Sequence, residues 1–334
     1  MDKKSGEIVS IALSEMKIPI FKEVWNPTYN YYYAGPENKW FLSLIECYYK
    51  SSIHAAIINN LWFQITKDNQ DDEFYKKVVL DYILFGGMSI EVLWNQTHTG
   101  ILKLNHLDFS KVRNGKMDDQ NNPLFYLYSN DWYKYSNRSI DMLQAYNPNP
   151  EFDDHQIYVG KRYIAGEDIY PKPAYFAGIK WIVTDVELEN YYSNLVQNNF
   201  VSNILINVPA YFDEDKQKAF QKDIKESFTG SENAGRVFIT YSEDKDHAPT
   251  ITPFNENESD KKYQWLTQQV TQQIAISHNY PAPLLGILVP GKLGNATDLP
   301  VFQDLYDKNV VQPTKAEIDR KLKPLLNKKI TVTI

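Results

Sequence analysis

Six histidines, one cysteine and an excess of carboxylates are the residues through which this chain could do chemistry. The histidines are His54, His98, His106, His155, His247 and His278, and none stands in an H-E-x-x-H or Cys/His spacing that would hold zinc. Asp153-Asp154-His155 offers donors to a cation but lies in a polar stretch that reads as a solvated turn. Asp68 to Glu73 is rich in carboxylates, yet it lacks the glycine and closing glutamate of an EF-hand loop. Cys47 sits in the apolar run Phe41–Tyr49 with no sequence neighbour to favour its thiolate, so it reads as a small buried hydrophobe. A single cysteine also forms no internal disulfide. His278 closes a predicted helix, where a protonated ring would meet the last carbonyls. There is no G-x-S-x-G nucleophile elbow, no G-x-G-x-x-G and no G-x-x-x-x-G-K-[ST]. Gly291-Lys-Leu-Gly294 comes nearest to a phosphate loop, but no Ser or Thr follows its lysine. The sequence therefore predicts no catalytic residue, no cofactor site and no metal site.

Composition bounds the rest. The chain has 334 residues, 43% apolar and 23% charged, which suits one large or two ordinary folded domains. Its net charge of -7 argues against a tight, sequence-independent grip on nucleic acid, because that affinity comes from neutralising phosphates with a basic surface. An acidic chain can still surround a polyanion and let it slide. The 24 Tyr, 16 Phe and 7 Trp favour extensive side-chain interfaces. The start, Met1-Asp-Lys-Lys-Ser-Gly-Glu, has no signal-peptide apolar region, and no stretch reaches the length of a membrane span. Assembly in the cytoplasm, with no membrane partner, is the expectation.

The elements that must position these residues follow from periodicity; no internal repeat is present. Apolar spacing predicts one helix over 39–65 and a second over 73–82, ended by Gly86-Gly87. Met88–Trp94 and Ile101–Asn105 flank a turn and read as a hairpin. Short strands follow at Leu124–Tyr128 and Gln156–Val159. Pro171 and Pro173 precede a helix predicted over 174–200. A βαβ-like unit comes next: strand 203–208, a helix capped by Asp213 and ended by Gly230, and strand 236–241. A helix over 260–278 runs into Tyr280-Pro-Ala-Pro, and residues 287–300 read as a Pro/Gly loop. Pro313 is expected to split a final helical pair, with Thr314 and Glu317 as a capping box. Ile330–Ile334 reads as a closing strand.

Several of these segments, in this order, resemble the portal proteins of tailed phages, in the group typified by HK97-like heads. Gly86-Gly-Met-Ser-Ile-Glu-Val is similar to that family's G-N-A-Y-I-E strand. Gly100-Ile-Leu-Lys-Leu-Asn-His-Leu-Asp resembles its hairpin return. Ile169-Tyr-Pro-Lys-Pro173 stands where the family has Y-G-x-S-P, with Pro171 in the place of the glycine. Tyr191-Tyr192 to Ile206 looks like Y…F-x-N-G-x-x-P-x-G-I-L, with Val201-Ser202 in the place of N-G. Gly230-Ser-Glu-Asn-Ala-Gly-Arg-Val-Phe-Ile is similar to G-x-x-N-A-G-K-V-L-V-L, and Ile274 to Gly286 to I-A-x-x-F-x-V-P-P-x-L-L-G.

The resemblance implies an α+β portal fold that forms a ring of about twelve copies, a dodecamer, around duplex DNA. Its parts would be an α/β wing over 1–173, stem helices over 174–202 and 257–286, a small α/β clip over 203–256, a tunnel loop over 287–300, and a wing helix with C-terminal strand over 301–334. Any crown beyond the last helix would be very short, absent or outside this sequence. The implied role is a DNA channel at one capsid vertex of a virion. It would contact the major capsid protein, dock the terminase large subunit for genome packaging and later a head–tail adaptor, and pass double-stranded DNA at ejection, without catalysis. Lys292 and Asn295 would face DNA from the tunnel loop. Asn233 and Arg236 would lie in the clip's docking region, although Asn233-Ala-Gly235 also reads simply as a tight turn needed for folding. Two alternatives remain open at this level: another head–tail connector or adaptor, and an α/β hydrolase, which would require a concave cluster of titratable groups.

Overall fold

The computed structural model describes residues 23–69, 71–132, 140–151, 154–166, 169–197, 203–209, 218, 236–242, 250–253, 259–286 and 299–329. They are mixed α and β and fall into two compact units. One is formed from Val183–Val270; the other joins Ile18–Ile182 to Thr271–Ile334.

The second of these is built on a six-stranded sheet of order β4-β3-β8-β7-β6-β5, comprising β3 (Gly87–Trp94), β4 (Ile101–Leu107), β5 (Val112–Asn114), β6 (Phe125–Tyr128), β7 (Asp141–Ala145) and β8 (His155–Lys161). The expected hairpin is present: β3 pairs antiparallel with β4 from Ser89↔Leu107 to Trp94↔Ile101, and with β8 on its other edge. Strand alternation lets β6 serve two cores. Tyr126 packs with Val112, Leu143 and Ile157, while Leu127 on the opposite face packs with Tyr31 and Trp132. Tyr31 comes from β2 (Tyr31–Ala34), which pairs with β1 (Glu23–Asn26).

Three helices, α1 (Trp40–Lys50), α2 (Ser52–Thr66) and α3 (Glu73–Phe85), accompany the sheet. The single helix expected over 39–65 is in fact two. Ser51 is extended (φ −96°, ψ 111°), and its Oγ accepts the His54 N–H at 3.2 Å, capping α2. Apolar spacing runs through the break because each helix buries its own stripe. In α1 that stripe is Trp40, Phe41, Leu44 and Cys47. Phe41 makes edge contacts with Phe85, Phe109 and Tyr170. α3 extends to Phe85 and ends on Gly86, whose left-handed backbone (φ 74°) caps it. An alanine there would also put its Cβ 2.4 Å from the Lys172 carbonyl oxygen.

The C-terminal helices differ most from expectation. α6 (Leu299–Tyr306) passes through a π-helical turn, Asp307–Val311, directly into α7 (Gln312–Leu326). Pro313 therefore starts α7 without splitting the pair, and Thr314 is an interior residue with no helix end to cap. Widening of the preceding turn explains this: a proline ring clashes with the carbonyl four residues back only while that turn is a regular α-helix. The apolar spacing predicts a stripe of Ile318, Leu322, Leu325 and Leu326 on α7; the first three are buried, and Leu326 is half exposed. The closing strand 330–334 lies outside the described residues; Lys329 just before it bridges in parallel to Ile101.

The other unit contains β9 (Asn203–Pro209), β10 (Arg236–Ser242) and β11 (Thr250–Pro253), in the order β10-β9-β11. β9 and β10 are parallel, from Asn203↔Arg236 to Pro209↔Ser242, as a βαβ unit requires. Of the helix expected between Asp213 and Gly230 only Lys218 is described, and it is helical. α4 (Ile179–Gln197) and α5 (Ser259–Ser277) bring Tyr191 and Tyr263 together, hydroxyl to hydroxyl at 2.8 Å.

Candidate functional site

Pro171 and Pro173 lead into a turn at Ala174–Tyr175, where the Phe176 N–H donates to the Pro173 carbonyl at 3.1 Å, and the 3-10 turn Phe176–Gly178 then leads into α4. This approach buries Tyr175, whose hydroxyl donates to the Leu84 carbonyl at 2.8 Å and so satisfies one of the open carbonyls at the end of α3. Two histidines close around its ring. His54 of α2 lies at a centroid distance of 4.5 Å, and His278, just past α5, stacks at 4.9 Å. His54 Nδ1 and His278 Nε2 are 2.9 Å apart, so one ring donates and the other accepts. Beside them Gly178 touches the end of α5 so closely that a Cβ would sit 2.2 Å from Ser277 Oγ.

Burial, then the neighbouring His278, pushes the His54 ring well below its ordinary pKa; burial alone carries His278 down to about 3. His278 is thus a neutral partner in a ring pair and not the protonated helix cap expected from its position. Burial also raises the phenol of Tyr175 well above its usual range.

Next to this cluster a cavity of about 190 Å³ is lined by Tyr82, Arg162, His278, Asn309, Thr314 and Glu317, among others. The π-helical turn supplies Asn309, and such turns recur where a helix serves a site. The buried Tyr82 hydroxyl faces this region without a hydrogen bond; it lies near Glu317 but outside bonding geometry. Burial first, and Glu317 second, keep that phenol protonated. Acid–base catalysis needs groups that titrate near the working pH. Here the histidines are driven down and the phenols up, away from that range, and the arrangement joins elements. It ties the start of α4 and the end of α5 to α2 and α3.

The remaining described histidines are partnered by carboxylates: His106 with Asp81 at 2.8 Å, His155 with Glu91 at 2.6 Å and His98 with Asp154 at 2.5 Å. Asp154 and His155 therefore serve different partners, and Asp153 lies outside the described residues. Among the described residues no group of three His, Cys, Asp or Glu side chains could hold a metal ion. Cys47 is buried, and its thiol is pushed up to about 12 by that burial, with Glu46 adding to it. Arg236 opens β10 opposite Asn203. Asn233, Lys292 and Asn295 lie outside the described residues. Sequence reasoning singled out His278 but missed His54, Tyr82 and Tyr175. Their meeting depends on contacts across more than a hundred residues, for which no local signal exists.

The architecture has relatives among solved structures. A chain in the virion of a native gene transfer agent particle matches over 92% of this chain and 84% of its own, at a TM-score of 0.55 and 13% identity. The neck of an empty gene transfer agent particle, computed with C6 symmetry, holds a chain that matches over the same shares, at 0.55 and 14%. The neck of the native particle, computed with C12 symmetry, gives 0.50 and 15% over 94% of this chain and 85% of the other. At such identities the likeness is one of fold. No protein-family model and no curated protein matches the chain.

Proposed function

We propose that this chain is a portal subunit: about twelve copies ring a channel at one vertex of a phage-like head, and duplex DNA enters and leaves through it. One observation carries the reading. The likeness to chains of gene transfer agent particles and necks extends over 92% of this chain. The ordered motifs from Gly86 to Gly286 support the same assignment. In this reading α4 and α5 are the stem helices, the strands between them belong to the clip, and residues 287–300 form the tunnel loop with Lys292 and Asn295 toward DNA. The clip, with Asn233 and Arg236, meets the terminase large subunit and then the adaptor, while the 1–173 wing meets the major capsid protein. A second reading, a head–tail adaptor, shares the neck likeness.

Native mass measurement of the purified chain tests the ring; the expected result is a particle of about twelve chain masses with a central hole in axial images. A monomer at micromolar concentration overturns the ring. Binding of the purified ring to the packaging ATPase supports the portal, whereas binding only to a preformed portal ring supports the adaptor.

A further inference from the structure

The net acidity of the chain conceals a local reversal. Residues 320–329 read Arg-Lys-Leu-Lys-Pro-Leu-Leu-Asn-Lys-Lys, five cations and no carboxylate, in a chain whose 42 carboxylates outnumber its 35 lysines and arginines. The structure decides which of these charges are available. Lys321 donates to the Lys161 carbonyl at 2.6 Å, and Lys328 to Asn149 Oδ1 at 3.3 Å while lying over the Trp94 ring. Those two are committed to the fold. Arg320, Lys323 and Lys329 are exposed, as is Arg162 at the end of β8. Among the described residues no carboxylate lies within ion-pair distance of these four.

Arg320 and Lys323 are one helical turn apart and point the same way. Arg162 joins them: β8 meets α7 through Lys161 and Lys321, and the Tyr82 hydroxyl senses Arg162 and Arg320 alike. α7 has meanwhile buried its apolar stripe inside the unit, leaving no apolar face to insert into lipid. Glu317, which lines the cavity with Arg162, pairs instead with Lys321 at 3.9 Å, and cations outside ion-pair reach of a carboxylate, with no apolar wedge, suit a regular line of phosphates, where each contact releases counterions.

We propose that the cationic patch Arg162–Arg320–Lys323 is a contact surface for the phosphate backbone of duplex DNA. It is separate from the tunnel loop, and the choice of DNA as the polyanion rests on the portal reading. The patch supplies local adhesion on a molecule that otherwise repels DNA, so contact is weak, sequence-independent and strongly salt-dependent.

Anisotropy of a labelled random-sequence duplex, titrated with the full chain in its native assembly at about 50 and 200 mM salt, tests this. The expected result is binding that weakens steeply with salt, with the slope of log affinity against log salt reduced by about 2 in R320E/K323E. Reversals elsewhere on the surface, K50E/K116E, should leave the slope unchanged. R162E, on a different element, provides a second variant should the helix pair impair folding. Duplex binding by R320E/K323E and R162E equal to that of the unmodified chain overturns the proposal. So does preferential capture by phosphatidylserine vesicles at equal phosphate concentration, or loss of self-association with no change in duplex binding. Particle mass is read from the same samples. Patch-dependent DNA binding by a monomer sinks the ring and leaves the patch standing; a ring indifferent to these substitutions does the reverse.

Discussion

His54 and His278 share a single N–H···N contact; a proton on the accepting nitrogen would set two donors face to face, and one on the other ring would place a cation in a dry site. Both rings are harder to protonate folded than unfolded, so the unfolded chain takes up more protons once the pH drops below about 6.5. Stability from this pair is complete above that pH and is lost as the pH falls toward about 3. His278 borders the cavity, where water softens the penalty, and we expect its share to be roughly 1–2 kcal/mol at pH 5. Thermal melts from pH 7.5 to 4 should show a Tm slope that flattens in H54L/H278L, whatever the absolute Tm of that variant; an unchanged slope would refute the linkage. Asp81 presents the opposite case. Burial raises its pKa, yet its Oδ2 receives both His106 Nε2 and the Phe109 N–H. Asp81→Ala strands those donors and should cost about 2 kcal/mol in urea unfolding, and Asp81→Asn less.

At the scale of elements, the close approach of Gly178 to Ser277 sets how the start of α4 packs on the end of α5. Gly178→Ala forces them apart and should destabilise by ~1–3 kcal/mol; Ser277→Gly in the same chain should restore most of that loss in a double-mutant cycle. Ser51→Ala removes the cap that divides α1 from α2 and should cost ~1 kcal/mol. Much at this scale was legible beforehand. The β3–β4 hairpin, the parallel β9–β10 pair, α3, α4, α5 and the stripe of α7 all follow from period and punctuation. What was not legible has physical causes. Ser51 breaks a helix without interrupting its apolar spacing. A π-helical turn has no compositional mark, so Pro313 looked like a break. The His54–Tyr175–His278 cluster joins three distant segments, of which only the one bearing His278 carried a local signal, and the cavity beside it is a product of packing alone.

At the scale of the whole molecule, the unit formed by Ile18–Ile182 and Thr271–Ile334 has its own sheet and core, and its two inner chain ends approach at Gly178 and Ser277. Replacing residues 183–270 by a short Gly/Ser linker should therefore leave a folded unit with a cooperative melt; a non-cooperative transition would show that the inserted unit is needed for folding. Net charge is the property that sequence reading handled least well at this scale. A total of -7 argued against a tight grip on nucleic acid, yet it does not reveal that Arg162, Arg320 and Lys323 lie exposed near one another.

The π-helical turn at Asp307–Val311 acts as a phase adjuster. One residue advances an α-helix by about 100°, so deleting a single residue from this turn would regularise the hydrogen bonding yet rotate everything beyond it by that angle. Ile318, Leu322 and Leu325 would swing away from the interior, and Arg320 and Lys323 would turn from solvent toward it. Orientation of the last helix is thus stored as one surplus residue, and length variation at this point, unlike in a loop, would rewrite which side of the helix the rest of the particle meets.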